Sequence, residues 1–194
     1  MTSKEINNPE SNRCFAIVDL ENLCGGPDQV GQMQSQIRTI FEQHQHATQM
    51  TVVGCGRLAL HSNPDFLWTW SDARLVSRAG VDGADRALCE VLDDEPAAQR
   101  SWVLQIWSGD HFFAPLAKKL RRKGVRVEVF AAEDSLARSL ALEATVTNPG
   151  GLVGEQLQRC RLLARSHKAP SLALATAAAK RNFDQEAPRF EGAA

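Results

Sequence analysis

No two cysteines in this chain are spaced as Cys-x-x-Cys. The five present, Cys14, Cys24, Cys55, Cys89 and Cys160, are scattered, several of them inside apolar runs. That usage speaks for reduced core thiols in a reducing compartment and against disulfides or a zinc site. The N-terminus, Met1-Thr2-Ser3-Lys4-Glu5-Ile6-Asn7-Asn8, has no apolar signal core, and no apolar run reaches membrane-spanning length. A soluble, cytoplasmic protein without a membrane partner is expected. Nor does charge of one sign prevail. A formal charge of −1 over 194 residues argues against tight, non-specific coating of nucleic acid. The charge is nevertheless split locally: Lys118-Lys119-Leu120-Arg121-Arg122-Lys123-Gly124-Val125-Arg126 is strongly basic and Asp93-Asp94-Glu95 is acidic. No internal repeat is visible, and the length suits one domain plus tails.

What is present is an alternation of strand and helix patterns. Residues 1–12 are polar and read as a loose tail. Cys14-Phe15-Ala16-Ile17-Val18-Asp19-Leu20 reads as a buried strand, and after Cys24-Gly25-Gly26-Pro27-Asp28 a helix places Met33, Ile37, Ile40 and Phe41 on one face. A second strand, residues 50–56, stops at glycines. Asn63-Pro64 reads as a helix start, with Phe66, Leu67 and Trp70 to follow. Residues 74–77 form a short third strand, and a helix from about 83 carries Ala84, Leu88, Val91 and Leu92. Residues 101–107 make the clearest strand. The next helix, about 111–123, ends at Gly124, a left-handed stop. Residues 125–130 alternate as a strand should, and Asp134 is read as the cap of a helix with Leu136, Leu140 and Leu142. The order predicts an α/β fold, a three-layer αβα sandwich with a mostly parallel central sheet over 13–147. Asn148-Pro149-Gly150-Gly151 breaks the pattern, and residues 148–194 form an extension, helical in its amphipathic part or partly disordered.

Three acids stand where apolar strands run out or helices begin: Asp19, Asp85 and Asp110, with Asn22 three residues after the first. In open α/β sheets, ligands bind outside the carboxyl ends of the strands. Each acid has a structural explanation by itself. Asp110 and Asp82 suit helix N-caps, worth ~1 kcal/mol each, and Asp19 can open a turn. Together they ask for more, since Asp85 falls towards the buried side of its helix, where an unpaired carboxylate is costly. Oxygen ligands converging from separate segments suit a hard cation, Mg²⁺ or Mn²⁺.

Three blocks carry a resemblance to a known family. Ala16-Ile17-Val18-Asp19-Leu20-Glu21-Asn22-Leu23 resembles the opening strand and Asp-x-x-Asn of the NYN domain, a branch of the PIN-like metal-dependent ribonucleases. Val81-Asp82-Gly83-Ala84-Asp85-Arg86-Ala87-Leu88 resembles its Gly-x-Asp-x-Ala-Leu helix start. Ser108-Gly109-Asp110-His111-Phe112-Phe113-Ala114-Pro115-Leu116, with residues 124–129, resembles its Ser-Gly-Asp-x-Asp-Phe-x-Pro-Leu block and following strand. The resemblance implies metal-dependent cleavage of RNA, single-stranded in preference. Asp19, Asp85 and Asp110 would be the metal ligands, with Asn22 completing the catalytic set and Asp82, Ser108 and His111 in support. Two departures thin the site: Phe112 stands where many relatives have a second acid, and Val91 where another is frequent, with Glu90 its nearest substitute.

Other residues carry less. His44 and His46, two apart on the expected helix, point to opposite sides and suit the surface. Trp68, Trp70, Trp102 and Trp107 suit core packing. Lys118, Lys119, Arg121 and Arg122 follow Asp110 on one helix and fit either a solvated face or a seat for phosphates. A haloacid dehalogenase-type phosphatase also begins with Asp after a strand, but it wants a second Asp two residues later, where this chain has Glu21. The remaining rival is a catalytically reduced NYN-like module that binds RNA or a protein partner, with the extension as a surface for that partner or for a homodimer.

Overall fold

The computed structural model describes residues 13–46, 48–94 and 103–166. Its strands are β1 (Arg13–Asp19), β2 (Thr48–Gly54), β3 (Arg74–Val76), β4 (Val103–Trp107), β5 (Arg126–Phe130) and β6 (Val146–Thr147). They form one six-stranded sheet in the order β3-β2-β1-β4-β5-β6, with every pairing parallel. The helices are α1 (Leu20–Cys24), α2 (Val30–Glu42), α3 (Arg57–Ser62), α4 (Phe66–Thr69), α5 (Gly83–Asp94), α6 (Ala114–Arg122), α7 (Arg138–Glu143) and α8 (Val153–Ser166). Strand order reverses between β1 and β4, which makes their carboxyl ends the topological switch point of the sheet.

The two-residue period of a strand divides β1 between two cores. Ala16 and Val18 join Val53, Trp107 and Phe130 beneath α1, α2 and α8. Phe15 and Ile17 join Val52, Leu104 and Ile106 beneath α5 and α6. Burial on both faces is what a parallel sheet requires, and it explains the near-continuous apolar character of these strands. Trp107 and Phe130, opposite one another in register, stack with ring centroids 4.1 Å apart. Gln105 is buried in β4, where its amide donates to Glu128 Oε2 at 3.3 Å and accepts from Trp107 Nε1 at 3.2 Å.

Several elements differ from the sequence expectation. Asn63 closes α3 instead of opening a helix, and the short α4 starts after Asp65; an Asn-Pro pair serves equally to end one helix and turn into the next. Helix α2 stops at Glu42, so His44 and His46 lie beyond it; both are half-buried, and His44 packs against Trp107 and Phe130. Trp70 and Trp107 are core residues but Trp68 is 81% exposed, and Trp102 lies outside the described residues. The helix after β4 begins with a 3₁₀ turn, His111–Phe113, before α6. Its end behaves as expected: Gly124, at φ +86°, donates to Arg121 O while Val125 donates to Leu120 O. Helix α7 starts after Ala137, with Asp134 in the preceding turn.

The sheet gains a strand that periodicity did not reveal, because β6 is two residues long. Asn148 secures its end, donating to Ala131 O and accepting from Ala131 N at 3.1 and 3.0 Å. Helix α8 buries Val153, Leu157 and Ala164 in the core that α2 also fills. All five cysteines are free thiols, and burial pushes those of Cys14 and Cys55 up to about 12. No described helix is long and apolar enough to cross a membrane.

Candidate functional site

Asp19 ends β1 and is buried, at 3% exposure. It caps α1, its Oδ1 accepting from Asn22 N at 3.1 Å. The capping role and burial coexist: the second oxygen, Oδ2, accepts from Ser108 Oγ at 2.8 Å. Ser108 follows β4, so this bond joins the carboxyl ends of the two central strands. The same hydroxyl accepts from Asp110 N at 3.1 Å, and Asn22 Oδ1 accepts from Gly109 N at 2.8 Å. Gly109 cannot be replaced cheaply, since a Cβ there would lie 2.3 Å from Ser135 O. Asp110 caps the 3₁₀ turn, its Oδ1 accepting from Phe112 N at 2.8 Å, and His111 Nδ1 stands 2.9 Å from that oxygen.

Asp85 reaches the cleft from α5. Gly54 at the end of β2 lets the helix approach, because a Cβ there would meet the Leu88 side chain at 2.7 Å. Leu88 anchors the helix and Asp85, nearly one turn earlier, falls beside Asp19. Burial chiefly, and then the nearby Asp85 charge, hold the Asp19 carboxyl far above its ordinary range. Burial and the Asp110 charge likewise raise that of Asp85. Both carboxyls thus hold a proton more tightly than isolated carboxylates do.

Asp19, Asp85, Asp110, Asn22 and Glu21 line one cleft of about 260 Å³, together with Gly25, Gly26 and Arg161. The three sequence-predicted acids are thus brought to one place. Glu21 and Arg161 were not predicted. The Glu21 signal was available, two positions after Asp19 on α1, and its Oε1 is held by Gly56 N at 2.9 Å. Arg161 lies 142 positions beyond Asp19, where spacing offers no signal. Asp82 sits in the turn before α5 at φ +54°, exposed, its carbonyl accepting from Arg86 N. Glu90 is exposed and pairs with Arg78, away from the cleft. On α6, Lys119 pairs with Asp93, and Arg121 and Lys118 face Glu143 at 2.8 and 3.9 Å. Arg122 is exposed. None of these four basic residues lines the cleft.

The acidic donors at the cleft are all oxygens, and four carboxyls face a single arginine there, which suits a hard divalent cation. Among the described residues, however, no three or more His, Cys, Asp or Glu side chains form a ready-made metal cage. The fit is one of donor chemistry and charge, without a closed coordination shell.

A parallel sheet with buried acids at its switch point defines an α/β domain of the kind that binds ligands at the strand ends. The family model described as NYN domain matches residues 98–148. The resemblance carried by residues 108–116 and 124–129 is thereby borne out, and NYN domains belong to the PIN-like nuclease superfamily. The match takes in Asp110 and stops short of α8; Asp19 and Asp85 lie before it. No curated protein matches the chain significantly. A solved structure, that of a protein of unknown function from Vibrio parahaemolyticus RIMD 2210633, is similar over 76% of this chain and 94% of its own, at 12% identity and a TM-score of 0.48.

Proposed function

We propose that this chain is a metal-dependent ribonuclease of the NYN/PIN-like type, hydrolysing phosphodiester bonds of single-stranded RNA at the cleft between β1 and β4. The observation that carries the reading is the convergence of three carboxyls, Asp19, Asp85 and Asp110, on one cleft at the switch point, two of them on buried residues. A fold gains nothing from gathering such charge unless a ligand offsets it. Asp19, Asp85 and Asp110 would hold Mg²⁺ or Mn²⁺, which when bound activates water and stabilises charge on the leaving oxygen. Ser108 fixes the orientation of Asp19, and Asn22 fixes the loop that bears Asp110. His111, largely exposed beside Asp110, orients that carboxyl at the cleft mouth. Lys118, Lys119, Arg121 and Arg122 supply positive charge along α6 to draw RNA toward the site.

A second reading has two observations in its favour: Phe112 replaces an acid frequent in relatives, and the described residues hold no complete metal cage. In that reading the chain is a non-catalytic NYN-like module that binds RNA or a protein partner. Cleavage of labelled single-stranded RNAs separates the two. The nuclease reading expects Mn²⁺- or Mg²⁺-dependent cleavage that chelator and Asp110→Asn abolish. Folded protein inactive on varied RNAs transfers the case to the binding module, and activity that survives both treatments ends the metal assignment.

A further inference from the structure

Arg161 is the one basic side chain lining the acidic cleft among the described residues, and it comes from α8, beyond the segment that matches the NYN family. Its side chain is 11% exposed. Nη1 pairs with Asp134 Oδ1 at 2.8 Å. The other edge of the guanidinium is different: Nε is buried without any hydrogen-bond partner. That edge lies against Gly25, where an added Cβ would stand 3.0 Å from Nε and 3.2 Å from Nη2. With no side chain at position 25, only the glycine backbone packs over that edge where Arg161 and Gly25 line the cleft. Buried polar atoms in native proteins are nearly always satisfied, so an orphaned donor in a cleft marks a place for an acceptor from outside. Two parallel N–H groups on a fixed cation match two oxygens of a phosphate.

We propose that Arg161 is a phosphate-binding residue of the cleft, gripping non-bridging oxygens of an RNA backbone phosphodiester, so that α8 is part of the site and not an appendage. Asp134 holds the guanidinium by one edge and leaves the Nε and Nη2 edge for the ligand. Because the acids of the cleft repel RNA, a cation fixed in the same cleft determines where the backbone can approach. This inference rests on the reading that RNA enters the cleft, though not on cleavage itself.

The test is binding of a fluorescein-labelled single-stranded RNA oligonucleotide to the full chain in chelator, followed by anisotropy across a salt series. The variants are Arg161→Gln, Arg161→Lys and Asp134→Ala, each also melted. Arg161→Gln is expected to weaken binding about tenfold and to lower the slope of log affinity against log salt by about 0.7, the single-strand value for one phosphate contact. Arg161→Lys should keep the slope while losing affinity, and Asp134→Ala should bind as tightly as the parent or more so. Wild-type slope and affinity in Arg161→Gln overturn the proposal, even with a lowered melting temperature, since a purely structural pair would give that result. So does a wild type that does not bind RNA. A parallel Mn²⁺ cleavage assay separates the two claims: Arg161-dependent binding without cleavage removes the nuclease reading alone, and cleavage indifferent to Arg161→Gln removes the arginine assignment alone.

Discussion

Ser108 Oγ donates to Asp19 Oδ2 at 2.8 Å across 89 positions of sequence. Through that bond the end of β4 is fastened to the end of β1, and one hydroxyl sets two acids, because it also accepts from Asp110 N. A serine here has a defined task, which alanine cannot perform.

Ser108→Ala should therefore cost stability, by about 1–3 kcal/mol for a buried acceptor left without its donor. Urea denaturation of the two proteins reads this directly. The substitution should also reduce RNA cleavage, since Asp19 loses the contact that orients it. Equal midpoints and equal rates would show that the bond carries neither load.

Metal-free protein should lose stability as pH rises. The Asp19 carboxyl moves from an ordinary 3.8 to about 8 in the folded chain, so the folded state binds the proton more tightly than the unfolded one. The associated stability is complete below about pH 4 and is lost progressively up to the folded value. Melts in chelator should fall between about pH 5 and pH 8. Asp85→Asn removes one of the repelling charges, so its decline should be shallower and its melting temperature at the upper end higher than the parent's, against the usual direction of substitutions. Mn²⁺ should stabilise the parent, because it binds only the folded form, and do little for the variant. A destabilised variant, with neither protein responding to Mn²⁺, contradicts a shared site.

Gly109→Ala should be damaging although alanine is small. Its Cβ would stand 2.3 Å from a backbone oxygen, Ser135 O, and backbone does not yield as a flexible side chain does. About 1–3 kcal/mol is expected from such overpacking, together with reduced cleavage as the loop bearing Asp110 shifts. A parent-like denaturation curve would refute the close crossing.

The layered fold was legible because each long segment stated its period. The buried alternation of β1 and the i, i+4, i+7, i+8 face of α2 both follow from burial alone. Asp19, Asp85 and Asp110 were legible for a different reason: apolar strands and helix starts place their acids at the sheet edge whatever the side-chain details. Short elements escaped. Strand β6 is too brief to show a period, and its place depends on Asn148 bonding to Ala131. Asn63-Pro64 carries a turn signal that suits the end of α3 as well as the start of another helix. Arg161 was invisible because nothing local distinguishes it from other arginines of an amphipathic helix; only the packing of α8 beside α1 and α2 brings it to Gly25.

The same distinction bears on α6. Substituting Arg121 and Arg122 together by Ala should weaken RNA binding evenly across sequences and flatten its salt dependence. Arg121 must leave Glu143 to engage phosphate, so the effect per charge should be smaller than that of Arg161→Gln. Anisotropy over a salt series measures both. An unchanged slope makes this run a solvated face and nothing more.

Asp19, Asp85 and Asp110 are proposed to form one divalent-cation site. Anomalous diffraction at the manganese edge, from crystals of the full chain soaked in Mn²⁺, tests it without recourse to activity. A peak is expected in the cleft, within coordination distance of carboxylate oxygens from these three acids, and its loss in Asp85→Asn. A cleft without a peak at saturating Mn²⁺ would overturn the shared site.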